Sequence, residues 1–193
     1  VSSTAMLSAL MDGADLRTVF APTLRTLLEL GAGTAHVDFR GFVFEGCAGT
    51  AIKLTGTTLC RLIGSTIRNV GDYQGSGVEI AGGTANGVLG CDLHHIGRDG
   101  IGLSGGDQKT LTAAGNFADH NYIHHTGVWY KQGTGVTLRG VGQRAAHNLI
   151  HDAPHMAAGV SGNDHVFEYN VIHHVCTETD DSGAFYTGRN PAC

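Results

Sequence analysis

Two adjacent carboxylates give the strongest chemical signal in this chain. Asp180 and Asp181 lie in the stretch CTETDDSGAFYTGRN, just before a short apolar strand pattern. Neighbouring carboxylates resist joint ionisation, and a carboxyl group that keeps its proton suits general acid catalysis. Glycoside hydrolysis needs a second carboxylate on the other side of the scissile bond. The alternative is a turn in which both side chains only cap backbone N–H groups.

Further residues with sugar-binding chemistry are predicted on the same face. Alternation along the strand predicts that Asp181 and Phe185 point outward. Planar hydrogen-bonding groups beside an aromatic ring are typical of sugar sites. The long turn HTGVWYKQGTG predicts an exposed aromatic platform, with a core position as the alternative. The substrate-binding residues predicted in this way are Trp129, Arg139, His155, Asp164, Phe185 and Arg189.

The twelve histidines raise the question of a metal site. Equivalent histidines of neighbouring repeats could meet at one strand spacing and chelate a metal. We favour a stacked polar column, because repetition produces one by itself and no HExxH or comparable spacing is present. No metal and no other cofactor is therefore predicted. The repeated pairs are His94-His95, His124-His125, His151-Asp152 and His173-His174.

Internal repeats indicate the elements that carry these residues. Six segments align, namely DFRGFVF, RLIGSTI, GVLGCDL, FADHNYI, RAAHNLI and VFEYNVI. Each repeat is too short for a βαβ unit, and none shows a sustained helical period. The pattern predicts an all-β fold, a parallel β-helix of about six coils with three strands each. One aligned column is Gly41, Ser65, Cys91, Asn121, Asn148 and Asn170, and an aliphatic column follows two residues later at Val43, Ile67, Leu93, Ile123, Ile150 and Ile172.

The asparagines of the first column have a predicted structural role. Asn tolerates the left-handed backbone of a sharp bend. Stacked Asn121, Asn148 and Asn170 could also exchange amide hydrogen bonds from coil to coil, which would consume their polar groups. Ligand contact is the alternative interpretation.

Composition limits the classes of function. The 193 residues suit one domain, and 30 glycines with 15% charged residues indicate many turns between short apolar strands. The net charge of −5 and the lack of a Lys/Arg run argue against a nucleic-acid partner. No apolar stretch is long enough to span a membrane. Five cysteines without a CxxC pair argue against a disulfide framework or a zinc–thiolate site.

The two ends of the chain fall outside the repeats. We expect residues 1–35 to be an entry segment or the tail of a preceding domain, with a strand in LRTLLELGAG and a short helix over 4–11. Residues 36–193 are expected to form a β-helix that is cut at its C-terminus. Residues 5–11 lack a basic flank and do not predict a signal peptide. A longer parent protein is expected to be secreted or periplasmic.

Several long blocks of the chain carry a family resemblance. Residues 36–190 resemble the right-handed parallel β-helix, or pectin-lyase-like, proteins among carbohydrate-active enzymes. The blocks GVLGCDLHHIG, AHNLIHDAPHMA, GNDHVFEYNVIHHVC and ETDDSGAFYTGR are most similar to glycoside hydrolase family 141, whose members include fucosidase and xylanase activities. The resemblance implies a catalytic acidic pair, with one member in the Asp180-Asp181 motif and the other in a later coil. It therefore implies little or no hydrolytic activity for this chain alone.

Three functions follow from these residues. The first is hydrolysis of a polysaccharide, with Asp181 as acid, base or nucleophile. Counting strand spacings sets Asp99 three coils, or about 14 Å, from Asp181, which is too far for its partner, so the partner is expected in a coil beyond residue 190. The second is a polysaccharide lyase in which a Lys or Arg base and a Ca²⁺ ion act on a uronate. The third is a non-catalytic carbohydrate-binding solenoid. The residues that suit the lyase are Arg139, Arg189, Asp107 and Asp164.

Overall fold

The computed structural model describes residues 22–187, and within them the chain forms nineteen short strands and no helix. The helix expected over 4–11 lies outside the described residues. The strands are β1 (Leu28–Leu30), β2 (Asp38–Arg40), β3 (Val43–Cys47), β4 (Ile52–Thr55), β5 (Arg61–Ile63), β6 (Thr66–Val70), β7 (Val78–Ala81), β8 (Gly87–Leu89), β9 (Asp92–Ile96), β10 (Ile101–Gly105), β11 (Phe117–Asp119), β12 (Tyr122–His124), β13 (Val136–Val141), β14 (Arg144–Ala146), β15 (Leu149–Ala153), β16 (Ala158–Asn163), β17 (Val166–Glu168), β18 (Val171–Val175) and β19 (Phe185–Thr187).

The strands form three parallel sheets that wind around one axis. Sheet 1 has the order β1-β4-β7-β10-β13-β16-β19, sheet 2 the order β17-β14-β11-β8-β5-β2, and sheet 3 the order β18-β15-β12-β9-β6-β3. Each coil gives one strand to each sheet, as β8, β9 and β10 do. This arrangement confirms the predicted all-β solenoid of about six coils. Strand β1 lies in the predicted entry segment and pairs in parallel with β4.

Alternation along each strand builds the core. In sheet 1 the register stacks Val78, Ile101 and Val136 in one inward column and Ile80, Leu103 and Leu138 in the next. These six side chains are buried. Full burial of such a side chain contributes about 1.5–3 kcal/mol relative to exposure. Repetition of short apolar segments thus produces one continuous core along the solenoid. No helix in residues 22–187 is long and apolar enough to cross a membrane.

The first coil has a different alignment from the one predicted. Phe44, and not Val43, pairs with Ile67, and Val43 pairs with Thr66. The cause is the turn before β3, where Gly41 adopts the left-handed backbone (φ 69°) that Gly64 (φ 54°) adopts one coil later. Gly41 therefore belongs to the turn column. The predicted aliphatic column is shifted by one residue in this coil.

The predicted Asn ladder is present inside the solenoid. The Oδ1 atom of Asn148 accepts the backbone N–H and the Nδ2–H of Asn121 at 2.9 and 3.0 Å, and Asn170 repeats the pattern on Asn148. The left-handed residues are the ones just before the asparagines, His120 and His147 among them. The asparagines thus fasten each bend from inside, and do not themselves take the strained backbone. A second buried ladder joins Asn86 to Asn116.

The repeated histidines form stacked columns on the outer face of sheet 3. The rings of His94, His124, His151 and His173 lie parallel, with centroids 5.0, 5.2 and 4.6 Å apart. Each ring also meets the next residue of its own coil; the Nδ1 atoms of His94 and His95, for example, are 2.8 Å apart. Within residues 22–187, no group of three or more His, Cys, Asp or Glu side chains is arranged to hold a metal ion.

Candidate functional site on the outer face of sheet 1

The outer face of sheet 1 carries a polar row interrupted by glycines. The register aligns Gly102 with Glu79 on one side and Thr137 on the other, and Gly159 follows Thr137. A glycine presents no side chain, so the sheet surface is low at Gly102, whereas the Met156 side chain covers part of the space over Gly159. Glu79 is exposed beside this low surface. The whole row is Glu29, Lys53, Glu79, Gly102, Thr137, Gly159 and Tyr186.

Asp99 lies in the turn before β10 at one end of this face. Its Oδ1 atom accepts the backbone N–H of Thr134 from the next coil at 2.8 Å, and its Oδ2 atom is 3.3 Å from Nε of Arg98. Only 17% of the side chain is exposed. Burial raises the pKa of Asp99 above its usual value, and the charge of Glu79 adds to the rise. The Thr134 N–H, Arg98 and Arg139 oppose it. Asp99 therefore keeps its proton to a higher pH than an ordinary carboxyl group.

His155 lies in the turn before β16 and is buried. Its Nδ1 atom is 2.6 Å from Oγ1 of Thr179 in the following coil. Burial lowers the pKa of His155, and the negative charges of Asp181 and Asp99 oppose that shift. His155 is thus within electrostatic reach of both carboxyl groups. We call these three residues the Asp99–His155–Asp181 cluster.

The two predicted catalytic carboxylates differ in position. Asp180 and Asp181 are both exposed. Asp181 adopts the left-handed backbone, with φ of 53°, which breaks the strand alternation at this residue. Asp181 acts on the pKa of His155, whereas Asp180 is not among the groups that shift it. The structure therefore brings Asp181 into the cluster, and the catalytic role of either residue stays a prediction.

Arg139 supplies a free positive charge beside the cluster. Its side chain is exposed and points outward, two residues after Thr137 on β13. The register aligns it with Ser104 and Ser161 of the neighbouring strands. Its charge lowers the pKa of Asp99, so it lies close to the cluster. Among residues 22–187 its guanidinium has no hydrogen-bond or ion-pair partner. It is therefore available to a bound ligand.

Phe185 does not take the predicted outward position. It pairs with Ala158, which lies in the inward column, and its ring centroid is 5.2 Å from that of Phe167. Tyr186 occupies the outward row instead. The left-handed residue Asp181 and the turn after it shift the parity by one, which the alternation argument did not include. Phe185 is therefore aligned with the core-facing column and not outward as predicted; it is still 47% exposed, and its contact with substrate stays a prediction.

Asp164 and Arg189 are not placed with the cluster. Asp164 follows β16, whereas Asp181 precedes β19, so the two residues lie at opposite ends of the sheet 1 strands. Asp164 lines a separate cavity of about 340 Å³ with Asp119 and Arg144. Arg189 lies outside the described residues. Asp107, considered for a lyase, sits in the loop after β10 and accepts the N–H of Lys109 at 2.8 Å.

Trp129 is 61% exposed, which confirms its predicted exposure. The long turn folds back on the preceding coil, where the backbone N–H of Trp129 donates to the Gly97 carbonyl at 3.0 Å. The next residue, Tyr130, packs edge-to-face on Tyr73 with centroids 4.9 Å apart. This packing anchors the turn and leaves the indole outside. A sugar-platform role for Trp129 stays a prediction.

The roles of two residues of the site, Asp99 and Thr179, were not predicted from the sequence. Asp99 was set aside by counting strand spacings, but His155 lies between the two coils and is affected by both Asp99 and Asp181. Thr179 was placed on this face only as part of the turn with Asp180 and Asp181, without a role of its own. Its position beside the two acidic residues was the available signal, and its contact with His155 depends on how two turns stack.

Comparison with known proteins supports the fold and leaves the chemistry open. The family described as "Right handed beta helix region" matches residues 50–190, which is more than half of the chain. No curated protein and no solved structure matches the chain significantly. The more specific resemblance to glycoside hydrolase family 141 is not confirmed by these comparisons. With its parallel three-sheet solenoid and this match, the chain belongs to the right-handed β-helix family.

Proposed function

We propose that this β-helix is a glycoside hydrolase that acts on a polysaccharide lying across the outer face of sheet 1. The observation that carries the proposal is the buried His155, whose Nδ1 atom is 2.6 Å from Oγ1 of Thr179 in the turn that also carries Asp181, with Asp99 in a turn at the same end of sheet 1. Glycoside hydrolysis uses two carboxyl groups in different protonation states. Asp99 is the general acid, because burial raises its pKa. Asp181 is the second carboxylate and acts through His155, since three strand spacings, or about 14 Å, separate its coil from that of Asp99.

The surrounding surface supports a sugar substrate. Gly102 leaves room above the sheet, and the exposed side chains of Glu79 and Arg139 border that room with hydrogen-bonding groups. The right-handed β-helix fold is consistent with proteins that act on polysaccharides. A polysaccharide is therefore the proposed partner, and a secreted or periplasmic location follows from where such substrates occur.

Product analysis tests the proposal. The chain is incubated with xylan and with fucosylated glycans, and reducing ends are measured for the wild type, Asp99→Asn and Asp181→Asn. Because this proposal takes both acidic residues from the present chain, in place of the pair with a later coil that the family resemblance implies, we expect new reducing ends without ultraviolet absorbance, and a large loss in both variants. Binding without any product would contradict the enzymatic proposal and favour a carbohydrate-binding solenoid. Full activity in either variant would refute the assigned pair.

A polysaccharide lyase is the second candidate, and the unpaired guanidinium of Arg139 favours it. A lyase must neutralise the uronate carboxylate before a base removes the adjacent proton. Arg139 is a free cation next to the cluster. A uronate polymer would then give an unsaturated, ultraviolet-absorbing product, and Arg139→Gln would abolish it. Hydrolytic product from the same polymer would exclude this candidate.

A further inference from the structure

The hydrogen bonds around Thr179 define the protonation of His155. The Pro154 carbonyl accepts the Thr179 hydroxyl at 3.0 Å and the Glu178 N–H at 3.1 Å. A carbonyl oxygen only accepts, so the single hydroxyl proton of Thr179 points at Pro154. Thr179 Oγ1 can then only accept in its 2.6 Å contact with Nδ1 of His155. Nδ1 therefore carries the proton of the neutral imidazole.

The other ring nitrogen is left as an acceptor. In a neutral imidazole, only one nitrogen carries a proton, so Nε2 of His155 holds a lone pair. Within residues 22–187, Nε2 makes no hydrogen bond. Burial keeps the ring neutral by lowering the pKa of His155. The negative charges of Asp181 and Asp99 oppose this lowering of the His155 pKa.

From this geometry we infer that His155 is the proton-accepting residue of the site and that Thr179 is the positioning residue that fixes its tautomer. The inference deepens the proposed hydrolase function and rests on it. Asp181 then stabilises the imidazolium that forms, as a carboxylate near a catalytic histidine does. Thr179 does not touch the substrate; it acts through His155.

The proposed step balances as follows. A water molecule gives one proton to Nε2 of His155, and its oxygen forms a bond to the anomeric carbon. The glycosidic C–O bond breaks with its electron pair on the leaving oxygen. That oxygen takes the proton of the Asp99 carboxyl group. Afterwards His155 releases its proton to solvent, and Asp99 regains one from solvent.

Nitrogen-15 NMR of the full chain reads the tautomer without any substrate. The His155 signals are assigned by their loss in His155→Gln. We expect the Nδ1–H tautomer in the wild type and in Thr179→Ser, and its loss in Thr179→Val. His165 is the internal control with the opposite tautomer, because its Nδ1 accepts the Gln143 N–H at 3.0 Å and its Nε2–H donates to the Ser161 carbonyl at 3.1 Å.

Three results decide the inference. An Nε2–H tautomer in the wild type, or an unchanged tautomer in Thr179→Val, would overturn the role of Thr179. Asp181→Asn should lower the pKa of His155 in an NMR titration, and an unchanged value would remove Asp181 from the cluster. His155→Gln should reduce kcat by about 10²- to 10⁴-fold with little change in KM.

The kinetic results separate this inference from the proposed function. Thr179→Val should give a smaller loss of kcat than His155→Gln, and Thr179→Ser should restore the rate. Hydrolysis that is unaffected in His155→Gln would overturn the inference and leave the hydrolase proposal standing. A wild type that hydrolyses no glycan would refute the hydrolase proposal, and with it the catalytic role of His155, while the NMR result still judges the contact with Thr179.

Discussion

The outer faces of sheets 1 and 3 come from the same six coils and differ in regularity. On sheet 3 the same side chain recurs, and His124, His151 and His173 stack with centroids 5.2 and 4.6 Å apart. On sheet 1 the corresponding row changes residue type at almost every coil, from Glu79 to Gly102 to Thr137. One solenoid therefore has a face on which the same side chain recurs, on sheet 3, and a face on which it does not, on sheet 1.

This difference shows where a repeat protein can place chemistry. Repeated polar side chains find partners in their own kind; Nδ1 of His124 lies 2.7 Å from Nδ1 of His125, for example. Such pairing leaves few groups for a ligand. On sheet 1, turns of unequal length bring Asp99, His155 and Asp181 within electrostatic reach of one another through His155. The candidate site thus lies where the repetition fails.

The largest effect is expected from the irregular face. Asp99→Asn removes the only ionisable proton of the proposed general acid and should lower kcat by about 10²- to 10⁴-fold. The matched control is Asp92→Asn on sheet 3, where Asp92 only borders His124 at 3.5 Å. Reducing-end assays on both variants test the comparison. Equal losses in the two variants would show that the site is not confined to sheet 1.

The second-largest effect is a loss of stability, expected in the buried Asn ladder and not in the exposed His column of sheet 3. Asn148→Ala would leave the buried Asn121 N–H without its partner and remove the hydrogen bond to the Ala118 carbonyl. An unpaired buried group costs about 1–3 kcal/mol and a lost hydrogen bond about 0.5–1.5 kcal/mol, so the free energy of unfolding should fall by about 2–4 kcal/mol. His173→Gln, in the exposed column, should change it by less than about 0.5 kcal/mol. Urea unfolding measures both, and a similar change in the two variants would contradict the distinction.

A smaller effect is expected at the exposed aromatic turn. Stacking of a sugar on Trp129 would contribute about 0.5–1.5 kcal/mol, so Trp129→Ala should raise KM by about 3- to 10-fold. Thermal stability should stay the same, because the indole is 61% exposed. Tyr169→Ala is the control, since Tyr169 is exposed and stacks on His147 away from this turn. An unchanged KM in Trp129→Ala would remove the platform role.

The smallest effect is acid destabilisation of the regular face. Burial lowers the pKa values of His95 and His124, with neighbouring histidines adding to the shift. The folded state then binds fewer protons than the unfolded state, so stability present above about pH 6.5 is lost as the pH falls through the lowered values. Solvent screening limits this to a few tenths of a kcal/mol per ring.

The test compares the wild type with a His95→Gln/His124→Gln variant by urea unfolding. The two are measured at about pH 7.5 and about pH 5, on either side of the ordinary histidine pKa. The variant should lose less stability than the wild type over this interval. A wild type that gains stability relative to the variant on acidification would contradict the sign.

The repeat pattern of the sequence was enough to predict the solenoid. Val78 and Ile80 point inward and Glu79 outward, as alternation predicts, because strand side chains have a period of two. The Asn148 ladder follows from the same logic, since equal positions of successive coils must meet. These features depend on local periodicity alone, and a single sequence contains that information.

The site depended on information that periodicity does not hold. Phe185 aligns with the inward Ala158 after the turn that contains the left-handed Asp181, and Val43 falls outside the aliphatic column because Gly41 aligns with the turn residue Gly64. An alignment error of one residue moves every side chain of a strand to the other face. Asp99 and Thr179 gained their roles from the stacking of turns with unequal lengths. The sequence by itself determined the β-helix and its core, whereas only the tertiary structure decided which side chains share a site, because that depends on turn conformation and not on the repeat.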